Sequence, residues 1–93
     1  MKDSILSVIA REHALDVLKV LLKEKEKGLR HKQLRISILA LGGTIDPLLE
    51  PLRKKKLIDH NEENGNYYIS VLGEKILSHA LTILKLEKEI GDE

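Results

Sequence analysis

The chain has 93 residues, of which 42% are hydrophobic and 33% charged, and its formal net charge is +1. This length suits one small domain and excludes a two-domain enzyme with a cleft between its halves. The absence of cysteine excludes a disulfide framework, thiolate zinc sites and cysteine nucleophiles. No apolar run approaches the roughly 20 residues of a membrane-spanning helix, and Asp3 interrupts the start that a signal peptide would need. We therefore expect one domain over residues 1–93 that is cytoplasmic and binds no membrane.

Helical periodicity dominates the first half of the chain. Ser4 is a predicted N-cap, and apolar residues then recur near the helical period as far as Leu22. Residues 11–13 interrupt this pattern, so one long helix or a short helix followed by a longer one would fit. Gly28 ends this region, and a second helix is predicted over about residues 31–41.

A third helix is predicted after the Gly42-Gly43 turn, with Thr44 as its N-cap. Its inward side consists of Ile45, Leu49 and Leu52. Pro47 falls in the first turn, where its missing N–H costs nothing. Pro51 lies one turn further in and is expected to kink or split the helix.

A β-hairpin and a long helix are predicted to complete the chain. Asn64-Gly65 lies between the β-prone runs 57–58 and 67–70, and this pair is a strong hairpin signal. The alternation of a strand puts one of Tyr67 and Tyr68 in the core and the other at the base of the hairpin. Ser70 caps a predicted helix over about residues 71–90. The expected fold is mainly α with a small β-hairpin, an α+β class.

Four stretches, in this order and spacing, carry a family resemblance over nearly the whole chain. Residues 5–21 look like the opening of arsenical-resistance-type repressors, and residues 28–34 like the short strand and second helix of that superfamily. The spacing of Leu49, Leu52 and Leu57 is similar to that of its third helix and the segment that follows, with Lys56 in place of a glycine. Residues 68–77 look like the Tyr-x-Leu-Thr-x-x-Gly signature of multiple-antibiotic-resistance-type regulators. The chain thus resembles the winged helix-turn-helix regulators, without the metal-binding cysteines of some members.

This resemblance implies a homodimeric, sequence-specific regulator of transcription, from a bacterium or an archaeon, that binds double-stranded DNA. The third helix would enter the major groove, and the hairpin, or wing, would follow the backbone or minor groove. The helix-turn-helix and wing would span about residues 4–70. The long C-terminal dimerisation helix would span about residues 71–90.

The candidate DNA contacts are basic or amide side chains on this frame, with one threonine. Four cluster at the start of the second helix, where free N–H groups also favour anions, and two belong to the basic block at residues 53–56. Thr44 is placed at the groove and two asparagines on the wing. The full set is Arg30, His31, Lys32, Arg35, Thr44, Arg53, Lys54, Asn64 and Asn66.

Acidic residues support an alternative function. Asp46 and Glu50 face outward on the predicted third helix, and Glu62 and Glu63 lie at the tip of the wing. Carboxylates accept only from cytosine N4 and repel phosphates. A winged helix that binds protein, with little or no DNA binding, therefore stays open.

The terminal helices carry more aliphatic surface than one small core needs. The predicted dimer contacts are Ile5, Leu6, Ile9, Ala80, Ile83, Leu84 and Ile90. Two-fold dimers are the commonest assembly. The alternative is a C-terminal helix that closes only its own monomer.

No pattern in the sequence indicates catalysis or a metal site. The four histidines have no ligand spacing, and no nucleophile elbow or glycine-rich phosphate loop is present. We therefore expect neither enzymatic activity nor a cofactor, and the sequence identifies no small-molecule effector.

Overall fold

The computed structural model describes residues 4–91, so residues 1–3 and 92–93 of the predicted domain lie outside the described residues. The described part is mainly helical with a small antiparallel sheet and a long C-terminal helix, which confirms the predicted α+β class. Its elements are α1 Ile5–Ile9, α2 Ala14–Lys23, β1 Leu29–Arg30, α3 His31–Leu39, α4 Asp46–Lys54, β2 Ile58–His60, β3 Asn66–Ile69 and α5 Val71–Gly91. Within residues 4–91, no helix combines the length and the apolar character needed to cross a membrane.

The three strands form one antiparallel sheet in the order β1-β3-β2. The predicted hairpin is confirmed, and its strands are joined by the five-residue loop 61–65. The Asn61 amide donates to the Asn66 carbonyl at 2.9 Å, and the Gly65 amide donates to the Asn61 carbonyl at 2.7 Å. Gly65 has a φ of +76°, a conformation that glycine adopts without steric cost.

Serine side chains begin the first and last helices, as predicted. The Ser4 hydroxyl accepts a hydrogen bond from the Ser7 amide at 3.1 Å, and the Ser70 hydroxyl accepts one from the Gly73 amide at 2.9 Å. Between α1 and α2 the chain turns at His13, whose φ is +67°. The N-terminal region therefore consists of two helices, one of the two alternatives that the sequence allowed.

The predicted start of α4 is wrong. Ile45, not Thr44, occupies the N-cap position and makes no side-chain cap hydrogen bond. Ile45 is only 1% exposed, so burial of its side chain in the core, and not a capping hydroxyl, determines where the helix begins.

Pro51 does not split α4, which runs unbroken from Asp46 to Lys54. A residue with an N–H at this position would donate to the carbonyl of Pro47 four residues earlier. That carbonyl oxygen lies 3.5 Å from Arg11 Nη1, so a side chain of the α1–α2 turn compensates for the missing intrahelical bond.

The core is one cluster of aliphatic side chains to which α1 to α5 and the hairpin all contribute. Fully buried members include Leu18, Leu21, Leu34, Ile38, Leu52 and Leu57. From α5, Leu77 and Ala80 are buried, whereas residues 81–90 are all exposed. The second half of α5 therefore extends beyond the core of its own chain.

Candidate nucleic-acid interface

Helices α3 and α4 are joined by a tight turn that fixes their relative placement. The Gly42 amide donates to the Leu39 carbonyl at 2.9 Å, and the Gly43 amide donates to the Ile38 carbonyl at 3.0 Å, which closes the end of α3. A Cβ on Gly43 would lie 2.3 Å from His13 Cδ2. The turn is thus packed directly against the turn between α1 and α2.

Four of the predicted DNA contacts are exposed cations without a carboxylate partner among the described residues. Arg30 ends β1, and Lys32 and Arg35 lie in the first two turns of α3. Arg53 lies in the last turn of α4. The Arg30 amide donates to Gln33 Oε1 at 3.0 Å, which caps α3 at this end. We call Arg30, Lys32, Arg35 and Arg53 the basic surface.

The other two basic residues of the predicted set, His31 and Lys54, contact the acidic residues of α4. His31 Nε2 lies 2.9 Å from Asp46 Oδ1, and Lys54 Nζ lies 3.4 Å from Glu50 Oε1. All four side chains are at least 46% exposed, so each contact contributes little to stability. On the outward side of α4 the charge of Glu50 is consequently compensated by Lys54, whereas the basic surface is unpaired.

Asn64 and Asn66, which the sequence predicts to contact DNA from the wing, both make hydrogen bonds within the chain. Asn64 Nδ2 donates to the Tyr68 hydroxyl at 2.9 Å, and Asn64 Oδ1 accepts from the Asn66 amide at 2.9 Å. Asn66 belongs to β3, and its Nδ2 donates to the Lys27 carbonyl at 3.0 Å. These amides stabilise the hairpin and attach it to the turn before β1.

Thr44 is exposed, as a groove-contacting residue must be. It lines an open depression between the α1–α2 turn and the start of α4, together with Arg11, Glu12, His13 and Pro47. Thr44 thus lies at the amino end of the helix that the sequence predicts to enter the major groove, although it does not cap that helix.

The predicted dimer residues divide into two groups. Ala80 is buried in its own chain, and Ile5 and Ile9 are half-buried against the core, which leaves them little surface for a partner. Leu6, Ile83, Leu84 and Ile90 are exposed. Among the predicted dimer residues, the exposed apolar surface therefore lies at Leu6 and along the second half of α5.

Two glycines make close approaches, and one patch is exposed, in ways that the sequence did not predict. A Cβ on Gly28 would lie 2.7 Å from the Tyr67 carbonyl oxygen, and a Cβ on Gly73 would lie 2.1 Å from the Leu57 carbonyl oxygen. Glycine at these sites lets β1 and α5 approach the hairpin closely. The patch consists of Ile36, Leu39 and Leu41, which are each more than half exposed.

The two tyrosines lie as the strand alternation predicts. Tyr67 is in the core and stacks on His60 with 4.3 Å between ring centroids, while Tyr68 is half-buried at the base of the hairpin.

No cluster of three or more His, Asp or Glu side chains in residues 4–91 could hold a metal ion. No family model, curated protein or solved structure matches the chain. Its function must therefore be inferred from its own side chains and fold.

Proposed function

We propose that this chain is a winged-helix protein that binds double-stranded DNA as a homodimer and regulates transcription in the cytoplasm. The observation that carries the proposal is the order of elements. Two helices joined by a tight turn, α3 and α4, are followed by the hairpin β2–β3, and the sheet order is β1-β3-β2. In this arrangement α4 is the recognition helix, and the 61–65 loop is the tip of the wing.

The basic surface supplies the phosphate contacts in this proposal. Arg30 is the N-cap residue of α3, and Lys32 and Arg35 lie in its first two turns, near backbone N–H groups that also attract anions. In helix-turn-helix proteins the first helix crosses the DNA backbone while the second lies in the major groove. Cations on α3 and at the end of α4 therefore belong where phosphates pass.

Base recognition by α4 differs from the common arginine or asparagine pattern. Asp46 and Glu50 are acceptors, which suits cytosine N4, and Thr44 can donate or accept. Both carboxylates also contact basic side chains, His31 at Asp46 and Lys54 at Glu50, so an approaching phosphate competes with Glu50 for the ammonium group of Lys54. Phosphate contacts from α3 thus supply most of the affinity, and α4 supplies a limited preference among sequences.

The test is a fluorescence-anisotropy titration of a labelled duplex at several salt concentrations. Each phosphate contact adds about 0.9 to the slope of log affinity against log salt. We expect Arg30→Ala/Lys32→Ala to reduce that slope by about 2. Lys19→Ala/Lys23→Ala removes the same charge from exposed positions of α2 and is the matched control.

Two results would contradict the proposal. One is wild-type protein that shows no salt-sensitive binding at low ionic strength. The other is an equal loss of affinity in both double variants, because net charge alone, and not the basic surface, would then account for binding.

A second candidate function is a winged helix whose α4 and wing bind another protein. The carboxylates of Asp46 and Glu50 favour it, because they reduce the positive potential on the outward side of α4. The variant Asp46→Asn/Glu50→Gln separates the two functions. If the chain binds DNA, removing two acids strengthens binding at low salt, whereas a protein-binding chain without DNA affinity shows no change in DNA titrations.

A further inference from the structure

Helix α5 carries a second apolar stripe that is distinct from its core-facing side. The stripe follows alternating spacings of four and three residues, which is the a/d pattern of a coiled coil. With Ile76 as an a position, its members are Leu72, Ile76, His79, Ile83, Leu86 and Ile90. Its last three apolar members, Ile83, Leu86 and Ile90, are 60%, 53% and 72% exposed. We call these six residues the heptad stripe.

The heptad stripe does not face the core of its own chain. At 100° per residue, Ile83 is rotated by about 120° from the buried Leu77. Of the six residues, Ile76 alone packs partly against the core. The stripe therefore leaves an elongated apolar surface on the described chain, about 27 Å from Leu72 to Ile90 at 1.5 Å per residue.

We propose that the heptad stripe pairs with the same stripe of a second copy, and that the two α5 helices run antiparallel. This proposal rests on the homodimer of the proposed function and adds its interface, orientation and register. In the register that uses the whole stripe, Ile83 packs beside the partner's His79 position, Ile76 beside Leu86, and Ile90 beside Leu72.

Charged residues that flank the stripe favour the antiparallel orientation. Lys75 and Glu89 both occupy g positions, immediately before Ile76 and Ile90. In an antiparallel pair, g positions face g positions, so each Lys75 meets a Glu89 of the other copy and two ion pairs flank the coil. A parallel pair would instead place g opposite e, where Lys75 meets Ala80 and Thr82 meets Glu87, with no ion pair.

The histidine within the stripe supports the same orientation. In a parallel pair, equivalent d positions face each other, so the two His79 rings would meet in the centre of the coil. Polar groups buried without a partner are costly. The antiparallel register places each His79 beside Ile83 of the other copy, so the two rings lie in adjacent layers about 6 Å apart along the axis and do not face each other directly.

Sedimentation equilibrium at micromolar protein tests the interface. Wild type is expected at twice the 10.5 kDa chain mass, and Ile83→Asp at the single-chain mass with an unchanged circular dichroism spectrum. Leu84→Asp is the matched control, because Leu84 is exposed on the same turn but lies outside the stripe. A monomeric wild type overturns the proposal, as does dissociation by Leu84→Asp but not by Ile83→Asp.

Single cysteines test the orientation, since the chain has none of its own. In the antiparallel register, residue 82 lies near the two-fold axis, while the two copies of residue 90 are about 27 Å apart. Thr82→Cys should therefore form a disulfide-linked dimer on mild oxidation and Ile90→Cys should not. The reverse pattern would show a parallel coil and overturn the proposed orientation.

The same variants separate this proposal from the DNA-binding function. A dimer with the expected cross-links that shows no salt-sensitive DNA binding would contradict only the DNA function. Salt-sensitive binding by a protein that stays monomeric would contradict the coil and the homodimer, but not the DNA binding itself.

Discussion

Replacing Gly73 by alanine tests how closely α5 approaches the hairpin. An added Cβ would lie 2.1 Å from the Leu57 carbonyl oxygen and 2.9 Å from Ile69 Cγ1. Non-bonded heavy atoms reach optimal separation at about 3.5 Å, so α5 or the Leu57 backbone must move by roughly 1 Å. The Leu57 carbonyl also accepts the Ser70 amide at 3.0 Å, so this movement strains the junction between hairpin and helix.

The expected cost follows from three contributions. Overpacking costs about 1–3 kcal/mol, and a weakened Ser70–Leu57 hydrogen bond adds about 1 kcal/mol. Alanine returns about 1 kcal/mol, because it is a better helix former than glycine. Gly73→Ala should therefore destabilise the fold by about 2 kcal/mol and lower the melting temperature by roughly 8–16 °C.

Urea denaturation followed by circular dichroism, at one fixed protein concentration, measures this effect. Ser78→Ala is the control, because Ser78 is an exposed position of the same helix and should change stability by less than about 0.5 kcal/mol. A Gly73→Ala variant that is more stable than wild type by about 1 kcal/mol would refute the close approach, since it would show the helix-propensity gain alone.

Three further predictions concern the strand pairing, the core and the interface. Gly28→Ala should destabilise the fold by about 1–3 kcal/mol, which is more than Gly42→Ala. Both glycines have positive φ, but of the two only Gly28 has other atoms within 4 Å of an added Cβ. Equal losses of stability in urea denaturation would contradict this. Leu52→Ala should cost about 2–5 kcal/mol in the same assay, whereas Leu6→Ala, at a 72% exposed site, should cost less than about 0.5 kcal/mol. Asp46→Asn alone should tighten duplex binding a few-fold at low salt, since it removes a charge that repels phosphate, and unchanged binding in the anisotropy titration would count against a groove position for α4.

Local signals in the sequence predicted most of the fold. Ser4 and Ser70 cap helices through hydrogen bonds to residues three positions away, and the Asn64-Gly65 pair marks the loop of a hairpin. The predicted inward residues of α4, Ile45, Leu49 and Leu52, are all buried, although the buried Leu48 was not among them. Each of these signals depends on neighbours within one or two turns, so a sequence pattern is enough to detect it.

The features that the sequence did not predict depend on contacts between distant segments. The start of α4 is determined by burial of Ile45 in the shared core, which outweighs the capping tendency of Thr44. Asn66 is engaged because its amide reaches the Lys27 carbonyl, 39 residues away in the chain. The requirement for glycine at position 73 likewise comes from the backbone of Leu57. No short pattern encodes such approaches before the chain is folded.

The pairing of charges is a further property that only the three-dimensional arrangement reveals. The sequence groups His31 with the basic residues of α3, but the α3–α4 turn brings it to Asp46, 15 positions away. The basic surface is consequently smaller than the predicted set of contacts, and it is centred on Arg30, Lys32 and Arg35.

The salt dependence of duplex binding tests the central claim most directly. If the chain is a DNA-binding winged helix, log affinity should fall linearly with log salt, and Arg30→Ala/Lys32→Ala should reduce the slope by about 2 while Lys19→Ala/Lys23→Ala leaves it unchanged. Wild-type protein that binds no duplex at low ionic strength, or a slope that the two variants change equally, would contradict it.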